Sequence, residues 1–77
     1  MATLNFSFTP AVGYTGKYIM VAYGTDLPDV PLGQTSQTGP FGSVVTGSIT
    51  GVPTKTAYKV KIFTDTCLAP VGTLNLP

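Results

Sequence analysis

Residues that form turns divide this chain into short segments, because nine glycines and seven prolines are spread over its 77 residues. Glycine and proline interrupt regular structure and mark turns and strand ends. No segment of ten or more residues carries the 3.6-residue apolar period of a helix, whereas several carry the two-residue period of a strand. We therefore predict one all-β domain over residues 1–77, a small antiparallel sandwich of six or seven short strands.

The apolar alternation indicates where the strands lie and which faces they bury. Residues 4–9 alternate clearly, and Pro10 ends that strand. Residues 57–64 alternate most clearly of all, while residues 17–23 are apolar on both faces. Residues 43–50 and 71–76 are also compatible with strands. The residues that we predict to point inward are Leu4, Phe6, Phe8, Ile19, Val21, Tyr58, Val60 and Ile62.

The segment Gly24–Gly42 is rich in glycine and proline, and we predict that it is mainly loop with one short edge strand. It contains Asp26 and Asp29, a spacing that would suit a pair of catalytic carboxylates or a calcium site. Calcium needs about six oxygen ligands, and the chain has only three carboxylate side chains. We interpret both residues as turn formers, since aspartate bonds its own backbone in turns.

The composition argues against most kinds of chemistry. The chain has four lysines and three aspartates, one cysteine, and no His, Glu, Arg or Trp. A zinc site of Cys and His cannot be built, and the usual general acids and bases are missing. Without His to activate it, we interpret Cys67 as a small buried or half-buried apolar residue. A net charge of +1 without arginine argues against nucleic acid. We predict no enzymatic activity, no cofactor, no metal and no small-molecule substrate.

The N-terminus shows no basic region followed by a long apolar stretch, and no apolar run is long enough to span a membrane. We therefore expect a protein that is made in the cytoplasm without a signal peptide and has no membrane partner.

The stretch 50–60 contains Gly51, Val52, Thr56 and Tyr58 at spacings that resemble the corner between strands E and F of fibronectin type III domains. In that corner the tyrosine hydroxyl bonds to backbone a few residues upstream. Residues 4–10 resemble strand B of the family, and residues 19–23 are similar to strand C. Pro53 lies one residue early, and the core Trp of the family is replaced by Phe8. The resemblance implies a fibronectin type III-like sandwich whose strand A is reduced or absent. The alternatives are another immunoglobulin-like sandwich or a jelly roll.

If the inward residues are assigned as above, alternation places the side chains between them on the outer face of the sheet that contains strands C and F. Such a partly apolar patch can mark a protein–protein contact. Alternatively, the Gly24–Gly42 segment or the lysine stems cover its rings. The docking residues that we predict are Tyr18, Met20, Lys59, Lys61 and Phe63, with the Gly24–Gly42 segment as a second candidate. The family uses the position of loop Thr64–Pro70 for recognition, but we interpret that loop as a plain connector.

These observations predict a non-enzymatic structural or interaction module that binds protein partners or itself. A lone sandwich rich in Thr, Gly and Pro that begins at Met1 without an export signal resembles small accessory proteins of bacteriophage virions, which decorate capsids, join head to tail or associate with tails and fibres. We therefore expect assembly into a virion. The alternative is a carbohydrate- or surface-binding module from a larger secreted enzyme or adhesin, with Tyr14 and Tyr18 as an exposed aromatic platform.

Overall fold

The computed structural model describes residues 1–65 and 70–76 and confirms the all-β prediction. The described residues form six strands and no helix. None of them therefore belongs to a helix that could cross a membrane. The strands are β1 (Ala2–Phe8), β2 (Lys17–Gly24), β3 (Leu27–Thr38), β4 (Val45–Val52), β5 (Tyr58–Thr64) and β6 (Gly72–Leu76).

The strands form two antiparallel sheets of unequal size. One sheet contains only β1 and β4, and the other has the order β3-β2-β5-β6. Each sheet turns one face toward the other, as expected when a sheet buries one side and exposes the second. The alternation predicted for β1 and β5 is confirmed, because Leu4 and Phe6 are buried in β1 while Tyr58, Val60 and Ile62 are buried in β5.

The core lies between the sheets and consists of apolar side chains from four of the six strands, β1, β2, β4 and β5. Met20, Val52 and Val60 are the largest side chains that are fully buried. The two sheets pack closely at Gly33, where an added Cβ would lie 2.9 Å from Cγ2 of Ile49. The core residues are Leu4, Phe6, Tyr18, Met20, Ala22, Ile49, Val52, Tyr58, Val60 and Ile62.

The predicted facing of β2 is wrong by one residue. Tyr18 and Met20 are 4% and 0% exposed and point into the core. Ile19 and Val21 lie on the opposite face of the strand, where Ile19 is half-buried and Val21 is only 7% exposed. The reason is the pairing register with β5, which places Met20 opposite Ile62 and therefore on the same, inward face. Because β2 is apolar on both faces, its own pattern could not distinguish the two registers.

The prediction that Gly24–Gly42 is mainly loop is also wrong, since β3 occupies twelve of its residues. Among the described residues β3 pairs only with β2, at the edge of the sheet. An edge strand tolerates proline because one side of its backbone needs no partner. The ladder is irregular around Tyr23, where Pro31 stands opposite it. Cross-strand pairing therefore outweighs the turn propensity of this segment.

Candidate functional site

The four-stranded sheet presents an outward surface built around one pair of neighbouring strands. We use the name outer face for the surface formed by Ile19, Val21, Tyr23, Lys59, Lys61 and Phe63. The antiparallel register sets them opposite one another: Ile19 faces Phe63, Val21 faces Lys61 and Tyr23 faces Lys59. Of the docking residues predicted from the sequence, the structure brings together Lys59, Lys61 and Phe63 on this surface.

Tyr18 and Met20 do not belong to the outer face, because both are buried in the core. In their place, β2 contributes Ile19, Val21 and Tyr23 to the outer face. Ile19 and Val21 were predicted to point inward, but neither belongs to the core cluster. The signal that could have placed them correctly is the alternation of β5, since lysines opposite them identify an outward face.

The outer face is apolar at one end and basic at the other. Ile19 and Phe63 form an apolar cross-strand pair, and both side chains are half-buried. Lys61 places its Nζ 4.6 Å from the centroid of the Tyr23 ring, which is the geometry of a cation–π contact. This contact holds a positive charge beside an aromatic ring, so the surface can bind a partner that offers both an apolar side chain and a carboxylate.

Tyr18 lies in an aromatic cluster beneath the loops that follow β1 and β3. Its ring centroid lies 5.2 Å from that of Phe8, 4.8 Å from that of Tyr14 and 5.2 Å from that of Phe41. Its hydroxyl accepts a hydrogen bond of 2.9 Å from the backbone N–H of Ala11. The exposed Tyr14–Tyr18 platform expected for glycan binding is therefore not formed, since the Tyr18 ring is buried by its aromatic neighbours.

The corner between β4 and β5 has the hydrogen bonds that the sequence predicts for it. The Tyr58 hydroxyl donates to the carbonyl of Pro53 at 2.7 Å and accepts from the N–H of Lys55 at 2.8 Å. Val52 is fully buried in the core, and Thr56 is exposed. Gly51 has a φ of 72°, a backbone conformation that favours glycine. The hydrogen bonds of Tyr58 and the burial of Val52 give this corner a structural role.

The acidic side chains are dispersed and serve local structure. Asp26 accepts a 3.1 Å hydrogen bond from Nζ of Lys55, and this bond lowers the pKa of the Asp26 carboxyl below its ordinary value. Burial raises the pKa of the Tyr14 hydroxyl, and the negative charge of Asp65 raises it further. Asp29 is exposed in β3. No group of three potential metal ligands occurs within residues 1–65 and 70–76. Within the predicted connector, residues 66–69, including Cys67, lie outside the described residues.

Comparison with known proteins gives this site no precedent: no family model, curated protein or solved structure matches the chain.

Proposed function

We propose that this chain is a non-enzymatic structural and interaction module that binds a protein partner through the outer face. The observation that carries the proposal is the group of half-buried side chains Ile19, Tyr23 and Phe63 on that face, which surround the buried Val21. Aromatic residues in a partly apolar patch on a sheet are typical of protein contacts, because they bury large areas with little loss of side-chain entropy. The two lysines at its basic end would select for an acidic partner surface.

We also propose that the chain is a fibronectin type III-like domain without strand A. The strand order supports this assignment. If β1, β2, β4 and β5 are named B, C, E and F, then B pairs with E, and C pairs with F, which are the neighbours found in immunoglobulin-like sandwiches. The hydroxyl of Tyr58 supports it as well, since it bonds upstream backbone as a tyrosine corner does.

The biological setting that we propose is a bacteriophage virion, in which the chain would act as a decoration, head–tail or tail-associated protein. The support for this setting is the analogy between a small, weakly charged sandwich and the accessory proteins of virions. A chain of this size buries only about 60% of the surface that its unfolded form exposes. Binding within an assembly would stabilise such a domain by mass action.

The experiment that tests the outer face is light scattering over a concentration series, with the chain alone and mixed with the structural proteins encoded beside it. We expect a defined oligomer or complex that Phe63→Asp disrupts, because a carboxylate would be desolvated in the contact. The matched control is Asn5→Asp, which adds the same charge on the exposed side of β1 in the other sheet. Circular dichroism confirms that both variants fold.

Two outcomes would contradict the proposal. If Asn5→Asp weakens the complex as strongly as Phe63→Asp, the contact does not use the outer face. If the chain stays monomeric with every candidate component and mass spectrometry does not detect it in purified virions, the virion role is wrong.

A further inference from the structure

Along one side of the sandwich the edge strands of the two sheets contact each other, and along the opposite side they leave a gap. On one side β3 lies against β4, and the Gln37 side-chain amide donates a hydrogen bond to the carbonyl of Thr46. On the other side β1 and β6 leave an open groove with a volume of about 400 Å³. The difference follows from strand number, because a two-stranded sheet cannot cover a four-stranded one.

The groove is lined by uncharged side chains. Ile62 and Leu74 of the larger sheet lie along it, Phe8 lines it from β1, and Tyr14 and Tyr18 line it at the end near the loops. Every described residue that lines it is uncharged. Thr9, Thr64 and Thr73 also line it, but no described lining residue carries a charge that could pair with a charged group there. A charged group would therefore lose hydration without an opposite charge to compensate it. The lining therefore fits apolar side chains and excludes charged ones.

β1 reaches this groove at its last residue, Phe8, and the loop after β1 continues the same wall. In the described part of the chain β1 pairs with β4 alone, so the other side of its backbone presents donors and acceptors to an incoming strand. Natural edge strands are usually protected by charges or proline. β3 has Asp29 and Pro31, whereas Ala2–Phe8 contains no proline and no charged side chain. The edge of β1 is thus open to pairing.

We propose that the groove between β1 and β6 binds an extended, uncharged peptide segment of a partner protein. The segment pairs with β1 as a third strand of the smaller sheet and, at the end of β1 beside Phe8, places apolar side chains in the groove. Main-chain hydrogen bonds supply affinity in this mode of binding, and the groove selects the side chains. The site is separate from the outer face and goes beyond the function proposed above.

A second folded copy of the chain does not fit this groove. In such a copy the inward side chains of β1, Leu4 and Phe6, are already buried in its own core. Its larger sheet would also accompany its β1 and meet β6 of the first copy. The occupant is therefore a segment that is not already part of a sheet, such as a terminal arm or an extended loop of the partner.

The test uses a synthetic peptide with the sequence of residues 2–9, Ala-Thr-Leu-Asn-Phe-Ser-Phe-Thr, with both ends capped. It is uncharged and alternates apolar with polar side chains, so it has the chemistry that the groove requires. We expect the peptide to shift the amide resonances of β1 and β6. At saturation it should slow amide exchange in β1 by about tenfold or more, since exchange reports local opening.

Two controls separate strand pairing from general adhesion. The same peptide with alternate backbone nitrogens methylated on its pairing edge keeps its side chains but cannot donate main-chain hydrogen bonds, and it should not bind. Leu74→Lys places a charge in the groove and should weaken binding at least about tenfold. Asn75→Lys adds the same charge at an exposed position of β6, and this variant should bind the peptide as tightly as the unmodified protein does.

The proposal is overturned if the capped peptide does not bind, or if the methylated peptide binds equally well. The methylated peptide tests strand pairing even if Leu74→Lys fails to fold, because this control changes the peptide and leaves the protein unchanged. A dimer that forms without peptide and is lost in Leu74→Lys would show that a second copy fills the groove. Phe63→Asp should bind the peptide normally, so failure of the outer-face proposal and failure of this one are distinguishable.

Discussion

At the scale of single residues, one hydroxyl group organises the passage of the chain from one sheet to the other. The ring of Tyr58 is buried, and its hydroxyl satisfies both a carbonyl and an N–H of the segment that precedes β5. By hydrogen bonding to two backbone groups, this hydroxyl holds in place the segment between β4 and β5, which contains no regular structure.

We expect Tyr58→Phe to lower the free energy of unfolding by about 1–3 kcal/mol, because it leaves the carbonyl of Pro53 and the N–H of Lys55 without this partner. Urea unfolding followed by circular dichroism measures the change. The control is Tyr23→Phe on the outer face, which keeps its ring beside Lys61 and should change stability by less than about 0.5 kcal/mol. Equal effects of the two changes would contradict a structural role for the corner.

The backbone at Gly51 requires glycine for a conformational reason. Between Ala2 and Leu4 the first strand advances two residues while β4 moves three, from Val52 to Ile49, so an extra residue of β4 is accommodated there. Gly51 lies in this irregularity with a φ of 72°. A glycine in the left-handed region is the usual way to form such a bulge.

We expect Gly51→Ala to lower the free energy of unfolding by about 1–2 kcal/mol through backbone strain, since an added Cβ would meet nothing closer than 4.0 Å. Gly42→Ala is the matched control, because an added Cβ has open space there and φ is not positive. Its effect should stay within about 0.5 kcal/mol. Thermal unfolding distinguishes the two, and similar losses for both would refute the strain argument.

The ion pair of Asp26 and Lys55 makes stability depend on pH. The hydrogen bond from Lys55 lowers the pKa of Asp26 in the folded state below its value in the unfolded chain. The contribution is therefore present above the unfolded-state pKa and is lost as the pH falls through the folded-state pKa. Lys55→Gln should raise the pKa of Asp26, measured by NMR titration, and reduce the acid-induced loss of stability. An unchanged pKa would show that the pair does not form.

At the scale of elements, the facing of β2 decides what the protein presents to its surroundings. Residues 17–23 are apolar at almost every position, so the sequence pattern permits either face to be buried. Pairing with β5, whose lysines must point outward, selects the register in which Met20 and Ala22 face the core. A shift of one residue would exchange the core and the outer face.

We expect Met20→Ala to lower the free energy of unfolding by about 2–5 kcal/mol, because it opens a cavity at a fully buried position. Its neighbour Ile19 lies on the outer face and is half-buried, so Ile19→Ala should cost only about 1 kcal/mol. Chemical denaturation of the two variants compares the faces directly. A larger loss for Ile19→Ala would mean that the facing of β2 is reversed.

At the scale of the whole molecule, the unequal sizes of the two sheets should make the protection of backbone amides from hydrogen exchange differ between strands. Within residues 1–65 and 70–76, β2 and β5 pair on both sides, while β1, β3, β4 and β6 pair with one strand each. We expect amide exchange to be slowest in β2 and β5 and fastest at the edges of β1 and β6, because edge hydrogen bonds open most easily. Hydrogen–deuterium exchange followed by NMR tests this order. Uniform protection would indicate that the edges of β1 and β6 are covered in solution.

The strands with one apolar and one polar face could be predicted from the sequence. β1 and β5 show alternation that matches their burial, and Tyr58 marks a corner by its spacing from Gly51. β3 could not be predicted, because its prolines and glycine indicate a loop, and only hydrogen bonding to β2 makes it a strand. Half of the outer face was predicted for the same reason: Lys59, Lys61 and Phe63 belong to a strand with a clear phase.

The sequence by itself determined the all-β class and the buried faces of the strongly alternating strands, because these follow from local periodicity and from where glycine and proline end a strand. Only the tertiary structure decided the face of β2, the extent of β3 and the open groove between β1 and β6. Each of these depends on which strands become neighbours and in which register they pair. Register is set by contacts between residues far apart in the chain, and local periodicity carries no information about it.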